Sequence, residues 1–137
     1  MGYLEDLRTK GQAANPFFCL MGIDVAHEGG GRAALKMMIR PDMYNGAGWL
    51  QGGMLAAIAD EAMALALFTL LPPEAKIATI AESTSFIRPV KEGMIVAEAQ
   101  VIKKGRRVGF LECSVRMDDA DKAVLARTTA SFAITAE

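Results

Sequence analysis

The chain has 137 residues, 52% of them hydrophobic and 23% charged, which suits one globular domain over residues 1–137 with a substantial apolar core. Lys and Arg number 15 against 16 Asp and Glu, a formal net charge of −1, so no global field recommends nucleic acid or an anionic membrane as partner. Two cysteines outside CxxC spacing and a single histidine exclude the common Cys/His zinc arrangements and argue against a disulfide framework; a reduced, cytoplasmic setting fits best.

In chain order, MGYLEDLRTKGQAANPF carries both charge signs in its first turns and no continuous apolar stretch, so it does not read as a secretory signal. Residues 1–14 form an entry segment: a short amphipathic helix over Leu4 to Gln12, ended near Gly11, with Asn15-Pro16 breaking any continuation. Phe17 to Ala26 reads as a strand and HEGGGR as a turn. Alternation of Ala33, Leu35, Met37 and Ile39 with Ala34, Lys36, Met38 and Arg40 then completes a hairpin.

Gly52-Gly53 opens a nearly all-apolar helix of roughly 18 residues, about 27 Å long, which Pro72-Pro73 terminates. The run from Met54 to Leu71 approaches the length of a membrane span, about 20 residues. Asp60 and Glu61 fall near its middle, where an insertion scale charges Asp roughly 2.5 to 3.5 kcal/mol, so a buried soluble helix is expected.

Strands are expected over Lys76 to Arg88, Met94 to Lys103, Arg106 to Met117 and Ala123 to Thr135, with turn signals at Pro89, Lys-Gly-Arg and Asp-Asp-Ala-Asp. Leu111, Cys113 and Val115 share one face of the third; Val124, Ala126, Ala130, Phe132 and Ile134 share one face of the fourth. Six strands with short connections and one long helix define an α+β domain in which a curved antiparallel sheet wraps that helix.

Between Asp42 and Glu74 the only charged residues are Asp60 and Glu61, and no Lys or Arg lies in that interval. At helical spacing Asp60 shares its ridge with Ala56, Ala57 and Ala64, leaving room for an approaching molecule, whereas Glu61 neighbours Met54, Ile58, Leu65 and Phe68. Two readings stand: the acids reach solvent or a basic residue of the sheet, or one of them is a general base or nucleophile. NGAGWLQGG leads straight into the helix, and backbone N–H groups at Gly52 and Gly53 lack intrahelical partners, so they are candidates to hold an oxyanion. KKGRR, Lys103 to Arg107, is either a solvated hairpin tip or an anion site. His27 reads as a surface residue in a turn, and Cys19 and Cys113 as core. Trp49 could wall the site or cap the helix.

The order of Asn45, Gly48, Gly52-Gly53 and Asp60, then SFIRPV, VIKKGRRVGF and ARTTASFAI, resembles the hotdog-fold acyl-CoA thioesterases of the phenylacetate-degradation (PaaI-like) type, over roughly residues 15 to 135. The usual signature of that family is N-x-x-G-x-x-H-G-G with an acid nine positions after the His; this chain has Gln51 where the His stands. The resemblance implies that Asp60 activates water or attacks a thioester carbonyl, that the Gly52 N–H polarises the carbonyl oxygen, and that Asn45 positions water or the base. It further implies that Thr79, ten residues before Pro89, orients the Asp60 carboxylate, with Gln51 positioning in place of the His. Lys104, Arg106, Arg107 and, less directly, Arg88 would hold CoA phosphates. The site is expected across a homodimer interface, with dimers able to pair into homotetramers, and with no cofactor or metal. The alternatives are a non-catalytic acyl-CoA-binding module and a dehydratase or hydratase, the last needing a catalytic His that His27 is poorly placed to supply.

Overall fold

A computed structural model describes residues 2–135; Met1 and residues 136–137 of the expected 1–137 domain lie outside them. The entry segment is helix α1, Tyr3–Lys10, continued by a 3₁₀ turn over Gly11–Ala14. The expected strand from Phe17 is corrected at its first half, since Pro16–Met21 is a second short helix, α2. Asn15 is the reason: its side-chain oxygen accepts from the N–H groups of Phe17 and Phe18 at 3.0 and 3.3 Å, and Pro16 supplies a fixed φ in the first turn. Gly22, at φ 73°, closes that helix in the left-handed conformation and releases the chain into strand β1, Ile23–Gly29.

Strand β2, Arg32–Met38, pairs antiparallel with β1 around Gly30-Gly31, so the turn is shorter than HEGGGR suggests and His27 sits within β1 opposite Ala34. Helix α3 runs Gly52–Phe68, and the chain unwinds over Thr69 to Leu71 before Pro72-Pro73. Strands β3 (Lys76–Phe86), β4 (Met94–Lys104), β5 (Val108–Met117) and β6 (Val124–Thr135) follow. The sheet has six antiparallel strands in the order β1-β2-β4-β5-β6-β3, leaving β1 and β3 as edges.

Leu55, Ile58, Ala59, Ala62, Met63 and Ala66 of α3 are buried with the inward side chains of the sheet, including Leu35, Ile95, Leu111, Val115 and Phe132. Period-2 alternation gives these inward positions on β5 and β6, with one correction. A register shift opposite Val115 and Arg116 buries Leu125 and leaves Val124 only half-buried. Thr128 is inward and buried among apolar residues; its hydroxyl is satisfied by Thr84 across the β3–β6 ladder at 2.9 Å. Among the described residues, no helix is long and apolar enough to cross a membrane.

Candidate active site

The two adjacent acids of α3 have separate surroundings. Glu61 turns toward the entry segment, where Asn15 Nδ2 donates to its Oε1 at 3.1 Å and also reaches the Tyr3 hydroxyl at 2.7 Å. Burial pushes the Glu61 carboxyl above the usual range, partly offset by the Asn15 hydrogen bond. Glu61 therefore ties α1 and α2 to α3, which is the structural reading of that acid. Because its pKa is raised on folding, its contribution to stability is fullest in acid and declines as pH rises through the folded value. Glu61→Gln should thus gain melting temperature relative to wild type between about pH 4 and about pH 8, read by thermal denaturation at the two ends.

Asp60 faces the other way. Ala56, Ala57 and Ala64, its ridge neighbours, are only half-buried, so the surface around the carboxylate is low and open. Thr79 Oγ1 of β3 donates to Asp60 Oδ1 at 2.8 Å, bringing together two residues that stand 19 positions apart. Neither Asp60 nor any neighbour on its ridge forms an ion pair with a Lys or Arg among the described residues.

A third group at this place escaped the reading of the sequence. Glu82 of β3 also points at Asp60, with the two carboxyls within hydrogen-bonding reach, and its pKa is pushed up to about 7 by burial first and by the Asp60 charge second. The register explains the geometry. Thr79 lies opposite the buried Phe132 and Glu82 opposite the buried Ala130, with a bulge between Thr79 and Ala81 that makes residues three apart share the helix-facing side.

At the start of α3, Gln51 is the N-cap, and its side-chain oxygen accepts from the Gly53 N–H. That bond uses the Gln51 carbonyl and leaves the Gly52 N–H as a donor with no partner among the described residues. A Cβ at position 52 would stand 3.1 Å from a ring carbon of Phe86, so a side chain there would press the ring aside by a few tenths of an ångström. Gly52 opens on a 310 Å³ cleft lined also by Asn45, Trp49, Phe86, Arg88 and Pro89. Asn45 shapes its wall: the side-chain oxygen accepts from the N–H groups of Ala47 and Trp49 at 2.9 and 3.1 Å, and its backbone N–H donates to the Trp49 carbonyl at 2.7 Å. Lys91 Nζ lies 4.6 Å from the centre of the Trp49 ring. Gln51→Ala should cost about 0.5–2 kcal/mol by chemical denaturation through loss of the cap. The same variant should lower kcat/KM for thioester hydrolysis by up to about tenfold, while Gln51→His retains activity.

Gly52 and Asp60 are eight residues apart on one straight helix, about 12 Å along its axis, so a single protomer does not bring them onto one reacting carbon. The basic candidates divide similarly. Arg88 borders the Gly52 cleft and forms no ion pair among the described residues. Lys104, Arg106 and Arg107 stand exposed at the β4–β5 hairpin, and the register Gly109–Phe132–Thr79 places that hairpin level with the Asp60 half. His27 is on β1, the sheet edge opposite β3, remote from both halves. Of the cysteines, Cys113 is buried as expected, but Cys19 is exposed, because α2 turns it outward. No group of three or more His, Cys, Asp or Glu side chains suited to a metal ion occurs among the described residues.

A six-stranded antiparallel sheet packed around one long central helix is the hotdog fold. The Thioesterase superfamily model matches residues 47–124, more than half of the chain, and the chain belongs to that family. A thioesterase family protein from Silicibacter pomeroyi is similar at 25% identity and TM-score 0.85, covering 97% of this chain and 98% of that one. A point mutant of the phenylacetic acid degradation protein PaaI from Thermus thermophilus is similar at 27% identity. Its TM-score is 0.78, and the match covers 87% of this chain and 98% of that one. A protein of Halobacterium salinarum that bears an esterase designation is 33% identical over 100 residues, 69% of this chain and 66% of that protein, just under two thirds of its length. Family membership supports thioesterase or esterase activity in general, and the chain is of the PaaI-like type.

Proposed function

We propose that the chain hydrolyses an acyl-CoA thioester as a homodimer, with Asp60 of one protomer as general base and the Gly52 N–H of the other as oxyanion donor. The observation that carries this reading is the Asp60 carboxylate, held by the Thr79 hydroxyl at 2.8 Å on an open alanine ridge and in no ion pair among the described residues. In the step assigned to it, Asp60 takes a proton from water as the water oxygen bonds to the thioester carbon. The Gly52 N–H meets the developing oxyanion, the C–S bond breaks, and the proton passes to the departing CoA sulfur. The products are the free acid and CoA thiol.

The partner is needed because the donor and the base lie about 12 Å apart along α3 within one chain. The surface for it is β3, an 11-residue edge strand whose Ile80 and Phe86 are 57% and 59% exposed. An edge strand of that length, with a row of unpaired backbone groups, invites pairing with another strand. Arg88 at the cleft, and Lys104, Arg106 and Arg107 at the hairpin, are suited to the phosphates of CoA. Trp49 and Phe86 offer apolar walls for the acyl or pantetheine portion.

The test is release of free thiol from a panel of short, long and aromatic acyl-CoAs. Turnover of any member supports the reading. Thermal stabilisation by CoA esters with no thiol released across the panel would replace it by a binding module. No observation in the site favours the dehydratase, since the one histidine lies at the far edge of the sheet.

A further inference from the structure

The Asp60 site contains a carboxyl that thioester hydrolysis as proposed above leaves without a task. We propose that Glu82 acts through Asp60 as a positioning residue, the two carboxyl groups sharing a single proton that orients the base and whose departure frees one of its oxygens. The inference rests on Asp60 being the base, and it adds a pH control to the same site.

The geometry comes from two elements. Helix α3 presents Asp60, and the bulge between Thr79 and Ala81 swings Glu82 onto the helix-facing side of β3, where its carboxyl comes within hydrogen-bonding reach of Asp60. Two ionised carboxylates repel at that range, and among the described residues neither forms an ion pair with a Lys or Arg. The groups around the pair are the Thr79 hydroxyl on Asp60, the neighbouring Glu61 carboxyl, raised in part by the Asp60 charge, and the buried Cys113 thiol of β5, pushed up to about 12 with the Glu82 charge among the causes. No Lys or Arg contributes to the shift of Glu82. A proton between the carboxyls is the remaining way to make the contact favourable, and carboxyls so coupled lose their protons in separate steps that belong to the pair.

With the proton present, Glu82 O–H donates to one Asp60 oxygen while Thr79 O–H donates to Oδ1, so the base is held in place with both donors engaged. As pH rises past about 7 the Glu82 proton leaves to solvent. The Glu82 carboxylate can then no longer donate, Asp60 keeps only the Thr79 donor, and its second oxygen is free to take the proton of water.

Two measurements decide the matter. The first needs no turnover: carbon-13 NMR titration of protein labelled at Asp and Glu carboxyls. The expected result is one Glu carboxyl titrating near neutrality, absent in Glu82→Gln and moved toward the ordinary range by Asp60→Asn. A wild type in which every Glu titrates as an ordinary carboxylate overturns the proposal, whether or not the protein hydrolyses thioesters. The second is the pH profile of kcat/KM on an acyl-CoA that the wild type turns over. Wild type should rise across neutrality and Glu82→Gln should not, so their ratio is near one at about pH 6 and at least about threefold at about pH 8.5. Profiles that stay parallel, with a uniform loss at every pH, would mean that Glu82 is structural only. Absence of thiol release in a wild type whose Glu82 titrates near neutrality would sink the thioesterase reading and leave the shared proton standing.

Discussion

Asp60→Asn is expected to lower kcat by at least about 10²-fold while the protein remains folded, the loss typical of a missing general base. The substitution keeps the volume of the side chain and still accepts from Thr79, so circular dichroism and melting temperature should stay close to wild type. Glu61→Gln provides the internal control, because Glu61 is engaged by Asn15 on the opposite side of α3 and should lose little activity. Thiol release over the same acyl-CoA panel compares the two. Equal rates for Asp60→Asn and wild type would remove Asp60 from the mechanism, and a larger loss at Glu61 would mean that the wrong acid of the pair had been assigned.

The second large effect should come from the sheet edge. Ile80 is the bulged residue of β3 and 57% exposed in the single chain. A lysine there is the kind of charge by which edge strands are kept from pairing. Ile80→Lys should convert a dimer into a monomer of 14.7 kDa by light scattering at micromolar concentration. With the Gly52 half and the Asp60 half then on separate molecules, kcat/KM should fall by about 10²-fold or more, the size of losing one oxyanion donor. A wild type that is already monomeric and active would refute the shared site outright.

Most of the architecture was legible because its signals are local. Gly52-Gly53 and Pro72-Pro73 bracket α3, and the boundaries of β4, β5 and β6 fall within two residues of the turn signals that announce them. Asn15-Pro16 breaks the first helix and is at the same time a strong helix start, and the apolar run after it has the composition of either a short helix or a strand. The pairing of Asp60 with Thr79 followed from the family resemblance. Glu82 did not, for a reason peculiar to sheets. Strict alternation from Thr79 puts Ala81 and Ser83 on the helix-facing side and Glu82 on the other. One extra residue, Ile80, restores Glu82 to the inner face, and a bulge depends on the partner strand rather than on the residue that forms it. The division of the basic residues between the two ends of the site was hidden for a similar reason, since it depends on the register of β5 against β6 and of β6 against β3.

The loop that Asn45 organises bears on affinity as well as on shape. Its carboxamide oxygen receives the N–H groups of Ala47 and Trp49, while Asn45 and Gly48 close backbone bonds with Trp49 and Asn45. Ordering a free loop residue costs about 1–2 kcal/mol of entropy. In this loop that cost is met when the chain folds. A ligand arriving at the 310 Å³ cleft finds its wall already immobile, so its contacts are not spent on freezing the backbone and a larger share of them is left to discriminate one acyl group from another.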